Sequence, residues 1–394
     1  MWDIDISPPY LKFFLPPLFS RTQSGKKCRR VVTASGFSVF IMWSGLFTMA
    51  WGECRLEKDS GEESGVMVRR VVGSCTSEER LTLAIKGEDV RQALQAGRGI
   101  ELEGVVLTGD VMLDQLPVEE VSQEDLAFPL VGKRLVSGHI EEVRRIRGPL
   151  ILRHVEVQGV IATNFVTGGY LLVEGPVSIQ KSTVHQSIDF SRAAFLDGVD
   201  FSGSNILHEG FFIQSVFAKG ANFEAVKFGT HTRFHKAIFG EKATFSGSTF
   251  QGVAEFLEVT YHQEAVFSNA HFTMGTGFSG TRFQQSATFN DAIFGREAYF
   301  RFVEFAGDAR FQGVTFGAAT DFTEAKFHAT WDFSHADFAV LPDFPKAQAD
   351  VLAESENRFL DAKVQAGLFA FLLGVLLVFI LRVRRSHRPK PEKS

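Results

Sequence analysis

Two histidines, His231 and His235, lie four residues apart, a spacing that on a helix lets two imidazoles bind one metal ion. The other histidines between Ile188 and Phe338 follow no regular interval, so they do not extend the pair: His208, His262, His271, His328 and His335. Whether His231 and His235 can share a metal therefore depends on the element that carries them.

Six carboxylates each stand directly beside a Phe: Asp189, Asp200, Glu224, Glu255, Asp321 and Asp332. Two carboxylates can work as general acid and base when the fold brings them together. We expect these six to face solvent, because neighbouring residues of an extended segment point to opposite faces and the Phe takes the inner one. The chain has no nucleophile elbow, phosphate loop or Cys/His metal spacing. The sequence therefore predicts no enzyme, no cofactor and no metal site.

The Phe residues form an internal repeat from Phe190 to Phe338, in which a large apolar residue recurs at alternating steps of five and six. One row is Phe throughout, at intervals of eleven: Phe190, Phe201, Phe212, Phe223, Phe234, Phe245, Phe256, Phe267, Phe278, Phe289, Phe300, Phe311, Phe322 and Phe333. A second row lies between its members: Phe195, Ile206, Phe217, Phe228, Phe239, Phe250, Tyr261, Phe272, Phe283, Phe294, Phe305, Phe316, Phe327 and Phe338.

An eleven-residue period is also typical of a right-handed helical coiled coil. That alternative fails, because at about 100° per residue the two rows would lie on nearly opposite sides of a helix. Frequent Gly residues disfavour a helix as well. A plain strand fails too, because a step of five alternates faces. The pattern indicates a chain that turns a corner once per step and points each large residue at a common axis.

Small residues support this interpretation. Two positions before almost every large residue the chain has Ala, Gly, Ser, Thr or Val, and the exceptions are Ile188 and Trp331 near the two ends. Residues at i−2 and i share one face of an extended segment, so both rows are predicted to point inward. His231 and His235 then flank the inward Phe234 and point outward from different places, as solvated surface histidines.

Three segments resemble the pentapeptide-repeat family in its Phe-rich variety: 221–228 (ANFEAVKF), 243–250 (ATFSGSTF) and 287–294 (ATFNDAIF). The resemblance implies an all-β solenoid, a right-handed four-sided β-helix of about 22 residues per coil. The alternation of five and six departs from the strict five of the simplest members and predicts an extra corner residue on two opposite sides. Gly229, Gly240, Gly295 and Gly317 are expected at those corners with positive φ.

The solenoid is predicted over residues 151–340, with strong repeats over 188–338 and a weaker register back to Ile151. Residues 77–150 are expected to form an N-terminal cap and an irregular start. Within them, a short helix from Asp89 to Ala96 precedes a segment from Ile100 to Leu113 that alternates like a pair of strands, and the two together would form a lid. Residues 114–148 are interpreted as an excursion from the coil.

Both ends of the chain predict a membrane location. Residues 1–52 are expected to be a leader in which the apolar segment 37–51 follows a basic cluster, as a cleaved signal peptide or an uncleaved anchor. At the other end we expect a helical cap (341–363), a transmembrane helix (364–383) and a basic cytoplasmic tail (384–394). The solenoid would then lie on the periplasmic or extracellular side of a bacterial inner (plasma) membrane.

Two cysteines fit an exported domain. Cys54 and Cys75 remain as a pair once the leader is removed, and both lie within the charged linker predicted over residues 53–76. Two interpretations stay open for them: a disulfide, or two free thiols in a linker.

These features predict a non-enzymatic, membrane-anchored solenoid that serves as a scaffold for an unknown protein partner. A DNA mimic that binds a topoisomerase is one alternative, but it needs a strongly acidic surface and access to the cytoplasm, whereas the formal net charge is −5. A regulatory part of a membrane signalling or channel assembly is another. No nucleic-acid partner is expected, and the sequence leaves the oligomeric state open.

Overall fold

The computed structural model describes residues 53–58, 65–165 and 168–342. Within them the chain forms a stack of four-sided coils, and each side of one coil pairs in parallel with the same side of the next. From Val177 to Phe316 each strand pairs with residues 22 positions further on, as in the hydrogen bond from Ser182 to Ser204, and the register shifts by one at Ala319 and Val340. The prediction of an all-β solenoid built from stacked parallel strands is confirmed.

The four sides are numbered here in the order in which the chain visits them. Side 1 consists of Arg55–Lys58, Val66–Val72, Gly99–Glu103, Leu150–Arg153, Val177–Gln180, Val199–Asp200, Ala221–Asn222, Ala243–Thr244, Ala265–Val266, Ala287–Thr288, Ala309–Arg310 and Trp331–Asp332. Side 2 consists of Ile85–Lys86, Val106–Thr108, Glu156–Val157, Thr183–Val184, Asn205–Ile206, Lys227–Phe228, Thr249–Phe250, His271–Phe272, Ile293–Phe294, the first part of Thr315–Asp321, and Asp337–Val340.

Side 3 consists of Val111–Met112, Ile161–Ala162, Ile188–Asp189, Glu209–Phe211, His231–Arg233, Val253–Glu255, Thr276–Gly277, Ala298–Tyr299 and the end of Thr315–Asp321. Side 4 consists of Glu142–Ile146, Leu171–Val173, Ala193–Phe195, Val216–Phe217, Ile238–Phe239, Thr260–Tyr261, Arg282–Phe283, Glu304–Phe305 and Lys326–Phe327, and Val118–Glu120 pairs antiparallel with the first of these at its edge. The strands are short because each side must turn a corner after a few residues.

The core lies along the axis of the stack. Every Phe of the first row is buried, and the small residues two positions earlier are buried beside them. Upstream the core changes to Leu, Ile and Val. There the inward residues of the second coil are Leu150 and Leu152, whereas Ile151 faces outward, so the register expected at Ile151 is wrong. The reason is that this coil is longer, since Val177 pairs with Leu150 rather than with a residue 22 positions earlier.

Every second corner of the coil is a tight turn. A residue with positive φ follows each first-row Phe by two positions: Arg192, Gly203, Gln214, Ala225, Lys236, Gly247, Glu258, Asn269, Gly280, Asp291, Phe302, Gly313, Glu324 and His335. At most of these corners the N–H one residue further on donates back to the Phe carbonyl, as from Ala237 to Phe234 at 2.9 Å. This combination defines a type II turn.

The expectation of positive φ at Gly229, Gly240, Gly295 and Gly317 is therefore wrong, since none of the four adopts it. Glycine is needed at these positions for a steric reason instead, because a Cβ atom would clash with neighbouring atoms. A Cβ at Gly229 would lie 2.1 Å from the carbonyl oxygen of Leu207 in the coil before, and a Cβ at Gly240 would lie 2.7 Å from Cδ1 of Leu130. At the six-residue corners, glycine permits a close backbone approach.

An N-terminal cap covers the first coil. Helices α1 (Ser77–Thr82) and α2 (Gly87–Gln95) precede it, and α2 buries Val90, Ala93 and Leu94 against the core. The segment expected to add a strand pair to this lid instead supplies three sides of the first coil, because its three short strands pair with sides 1, 2 and 3 of the next. Arg55–Lys58 and Val66–Val72 form an antiparallel pair at the edge of side 1, and Cys54 is bonded to Cys75.

The chain leaves the coil after side 3 of the first turn. It forms a 3₁₀ turn (Leu113–Gln115), the strand Val118–Glu120, and helices α3 (Gln123–Ala127) and α4 (Pro129–Ser137), and it returns at Glu142–Ile146. This excursion packs on the outer face of side 4, where a second apolar cluster joins Val131 and Leu135 of α4 to Leu172 and Val216.

The expected leader (1–52), the transmembrane helix (364–383), the basic tail (384–394) and nearly all of the expected C-terminal cap (341–363) lie outside the described residues. Within the described ranges, no helix combines the length and the apolar character needed to cross a bilayer.

Candidate interaction surfaces

Aromatic rings fill the interior of the solenoid. Phe rings one coil apart stack nearly parallel, as at Phe217 and Phe239 with centroids 4.5 Å apart and planes inclined by 2°. First-row rings half a coil apart meet edge to face, as at Phe245 and Phe256 with centroids 5.4 Å apart. Both arrangements suit the quadrupole of an aromatic ring. Any binding by the repeat region must therefore use its outer surfaces.

Several buried hydroxyls of the small row bond to the backbone of an adjacent coil. Oγ of Ser204 donates to the carbonyl of Ile179 at 2.7 Å and accepts from the N–H of Ser182 at 3.0 Å. Ser215 donates to the carbonyl of Phe190 at 2.7 Å. These hydroxyls bridge adjacent coils at the corners, which is a structural role.

The carboxylates beside the Phe rows shape corners or form surface pairs. Asp189, Asp200, Asp321 and Asp332 each accept the N–H two residues further on, at 2.8 Å in every case. This is the Asx turn, in which a side chain replaces a backbone acceptor. Glu224 is exposed. The structure thus places these residues on separate outer positions.

The two histidines lie on side 3 and at the corner after it. Nε2 of His231 is 3.2 Å from Oε2 of Glu255, and Nε2 of His235 is 4.0 Å from Oε1 of Glu258. Each therefore has its own carboxylate in the following coil. Among the described residues, no group of three or more His, Cys, Asp or Glu side chains is arranged to hold a metal ion.

Side 4 is covered by the excursion over its first five coils. The outward residues there are apolar: Val143, Leu172, Ala194, Val216 and Ile238. The next outward residues along the same column are polar: Thr260, Arg282, Glu304 and Lys326. This change of character was present in the sequence and could have located the excursion on this side.

A buried network of ion pairs holds the excursion against side 4. Arg145 is 8% exposed, and its guanidinium contacts Asp125 at 2.5 Å, Glu119 at 2.9 Å and Glu174 at 3.2 Å. Burial would raise the pKa of Asp125, but hydrogen bonds from Arg145 and from Ser122 at the start of α3 outweigh it and lower that pKa to about 2. The same contacts raise the pKa of Arg145.

Polar residues of adjacent coils pair with one another on side 1. The amide of Gln312 donates to Asp332 at 2.6 Å, and Nζ of Lys242 lies 2.7 Å from Glu264. Arg282 and Glu304 on side 4 repeat this alternation of sign, at 3.6 Å. Because these carboxylates are paired with basic or amide groups of the adjacent coil, the charge at these positions does not build up a continuous negative field.

Side 3 carries an apolar slot in its outer face. Val253 and Leu257 form one wall, Tyr299 forms the other, and the coil between them has Gly275 and Gly277 as a floor without side chains. The slot has a volume of about 390 Å³. Strands in a sheet are about 4.8 Å apart, so leaving out one coil's side chains opens a gap roughly two strand spacings wide.

The charged groups around the slot already have partners. Glu255 contacts Arg233 at 2.6 Å, and Arg301 pairs with Asp321 while its guanidinium stacks 5.5 Å from the centroid of Tyr299. The slot therefore offers a binding partner mainly the apolar side chains of its walls. This surface was not predicted from the sequence, although the loss of side chains at Gly275 and Gly277 between bulky neighbours was a visible signal.

The four parallel ladders, the corner turns and the filled core define a β-helix solenoid. Residues 267–315 match the family model described as pentapeptide repeats, in nine copies. With the regular Phe ladder, this shows that the solenoid contains pentapeptide repeats of a Phe-rich kind. Comparison with curated proteins and with solved structures gave no match. Proteins of this family are generally structural or interaction proteins without enzymatic activity.

Proposed function

We propose that this chain is a non-enzymatic scaffold that docks a partner protein on side 3 of its solenoid. The observation that carries the proposal is the slot between Val253 and Tyr299. Tyr299 is 40% exposed and stands over a floor of glycines, in contact with solvent rather than with another coil. Because the neighbouring charges are paired, the slot suits an apolar side chain of a partner better than a charged one.

We further propose that the solenoid is right-handed, the hand that parallel crossovers adopt, and that it is held at a bacterial inner membrane on the non-cytoplasmic side. The order of basic and apolar segments at both ends of the sequence supports this location. A reporter fused at residue 200, active only outside the cytoplasm, tests it. Activity supports the proposal, whereas activity of a cytoplasmic reporter at the same site contradicts it.

Site-specific photo-crosslinking in cells tests the docking face. A photoreactive Phe analogue replaces Tyr299, and in a matched control it replaces Ile293, which is 42% exposed on side 2 of the same coil. We expect a discrete adduct from position 299 and none from position 293. Introducing Gly277→Phe beside the probe should abolish the adduct, because the added ring would fill the slot. Phe211 occupies the equivalent position of side 3 three coils earlier, so a large ring can be accommodated there. Equal labelling at both positions, or an adduct that survives Gly277→Phe, would contradict docking in the slot.

A DNA mimic remains the weaker candidate. It requires an extended acidic surface, and the alternating ion pairs between coils on sides 1 and 4 argue against one. A role in membrane signalling is compatible with docking on side 3 and would be decided by the identity of the crosslinked partner.

A further inference from the structure

A second cleft, of about 600 Å³, lies where the end of α4 meets the corner between sides 3 and 4. Its walls come from α4, from the strand Glu142–Ile146 and from the corners of the next three coils, at Gly168–Gly169, Arg192 and Gln214. None of these residues lines the slot on side 3, so binding in this cleft is independent of docking there.

Three arginines from three different elements line this cleft. Arg134 comes from α4, Arg144 from side 4 of the first coil and Arg192 from a type II corner of the third. Among the described residues none of the three forms an ion pair, in contrast to Arg145, which has three carboxylate partners. Three guanidinium groups around one space without carboxylate partners attract an anion.

The guanidinium groups are held in place with donors to spare. Arg134 donates from Nη2 to the carbonyl of Lys236 at 2.5 Å, and the guanidinium of Arg144 lies 5.2 Å from the centroid of Phe165. The Nε atoms of Arg134 and Arg144 are both buried, and neither has a hydrogen-bond partner within the described part of the chain. Arg134, Arg144 and Arg192 are nevertheless all half-exposed as residues, so a ligand in the cleft can approach their guanidinium groups.

Other titratable groups face the same space. His139, Glu141 and Glu142 line the cleft, and Asp189 lines a smaller adjoining cavity that shares Arg192 and Gln214. The carboxylates can accept hydrogen bonds from hydroxyl or ammonium groups of a ligand. We propose that this arginine cleft binds a small molecule through an oxyanion group, a phosphate or a carboxylate, held by Arg134, Arg144 and Arg192.

Isothermal titration calorimetry of the full-length chain tests the site with two probes, inorganic phosphate and malonate, at an ionic strength kept constant with chloride. We expect saturable binding of at least one probe, and the tighter one identifies the ligand class as phosphoryl or carboxylate. Arg144→Gln and Arg192→Gln should each weaken binding about tenfold or more. Gln suits position 192, since Gln214 adopts the same positive φ one coil later.

Arg282→Gln is the matched control, because Arg282 is an exposed arginine of side 4 that pairs with Glu304. It should bind the probe as the unmodified chain does. The proposal is overturned if neither anion gives a saturable heat, if the Arg144 and Arg192 variants bind like the unmodified chain, or if the control weakens binding equally. Should Arg144→Gln fail to fold, Arg192→Gln decides alone.

Discussion

A Phe ring in the middle of this core touches aromatic rings above, below and on both flanks. Phe256 stacks on Phe234 and Phe278 with centroids 5.1 and 4.8 Å away, and it meets Phe245 and Phe267 edge to face at 5.4 Å each. Removing such a ring leaves a void that its neighbours cannot close, because Phe234 and Phe278 are each stacked on a further ring and Phe245 and Phe267 belong to a separate ladder.

Phe256→Ala should lower the free energy of unfolding by about 3 to 5 kcal/mol through lost burial and the remaining cavity. Urea or thermal unfolding followed by far-ultraviolet circular dichroism measures it. Phe302→Ala is the control, since Phe302 is 63% exposed at a corner and its loss should cost about 0.5 kcal/mol or less. Equal effects of the two substitutions would contradict the inward Phe ladder.

Two buried tyrosines make a matched pair with opposite expected effects. The hydroxyl of Tyr261, in the second row, is buried and has no hydrogen-bond partner among the described residues, whereas that of Tyr170 donates to the carbonyl of Gln214 at 3.1 Å. Burial raises the pKa of both hydroxyls, so both stay protonated near neutral pH.

Tyr261→Phe should raise the free energy of unfolding by about 1 kcal/mol, because it removes an unsatisfied polar group and keeps the ring stacked on Phe239 and Phe283. Tyr170→Phe should lower it by about 1 kcal/mol, because it leaves the carbonyl of Gln214 without that donor. Denaturant midpoints of both variants measure the difference. A lower midpoint for Tyr261→Phe would show that the hydroxyl has a partner after all.

The inward rows could be predicted from the sequence because the large residues themselves carry the period. The backbone conformation at the corners could not be predicted in this way. The type II corners recur every eleven residues with very different side chains, for example Glu258 at one corner and Phe302 at another. The hydrogen bonds between coils, rather than the side chain, impose the turn. Gly229 and Gly240 misled the prediction because glycine answers two different needs, positive φ and close approach, and the sequence does not tell them apart.

At the scale of elements, the excursion between Leu113 and Glu141 is the largest departure from a uniform coil. Its place on side 4 follows from the outward apolar residues there, such as Val216 and Ile238, which belong to strands more than 70 residues further along the chain. The local sequence of α3 and α4 does not reveal this partner. The arginine cleft is hidden from the sequence for the same reason, since Arg134, Arg144 and Arg192 meet only after the excursion docks.

The ion pair between Asp125 and Arg145 should make the docking of the excursion sensitive to acid. The pKa of Asp125 is lowered from 3.8 to about 2 in the folded chain, so its ionised form stabilises the fold at every pH above about 4, and this stabilisation is lost as the pH falls toward 2. The difference corresponds to about 2 kcal/mol. Asp125→Asn should therefore unfold more easily at pH 7 and approach the unmodified chain near pH 2.

Thermal unfolding as a function of pH checks this expectation. Glu124→Gln serves as the control, because Glu124 precedes Asp125 on α3 but is exposed and forms no ion pair within the described residues. It should follow the unmodified chain at every pH. A gap between Asp125→Asn and the unmodified chain that stays constant from pH 7 to pH 2 would mean that ionisation of Asp125 does not stabilise the docked excursion.

For the whole molecule, the repeat separates stability from recognition. The inner rows are nearly the same on all four sides, whereas the outer faces differ: polar ladders on side 1, the excursion over part of side 4, and the slot on side 3. Because each coil contacts only its neighbours, stability is expected to add up coil by coil. Identical cores with different surfaces let one scaffold present several binding faces.

This organisation predicts that eleven residues, half a coil, are the unit that can be removed without breaking the core. Deleting residues 287–297 joins Phe283 to Phe300 at a step of six, so the alternation of five and six continues and every remaining Phe stays inside. Everything downstream then turns by half a coil, and sides 1 and 3 exchange places. We expect the variant to keep a cooperative transition and a β-type circular dichroism spectrum, with a lower melting temperature.

Deleting only residues 290–294, a single pentapeptide, is the sharper comparison. It removes one Phe instead of two, yet it places two steps of six in succession and puts a type II corner against a wider corner of the preceding coil. Despite the smaller loss of apolar surface, this variant should unfold at the lower temperature or lose its cooperative transition. If instead the five-residue deletion proved the more stable in a thermal melt, the corners would be interchangeable, and the alternation of five and six would not define the coil.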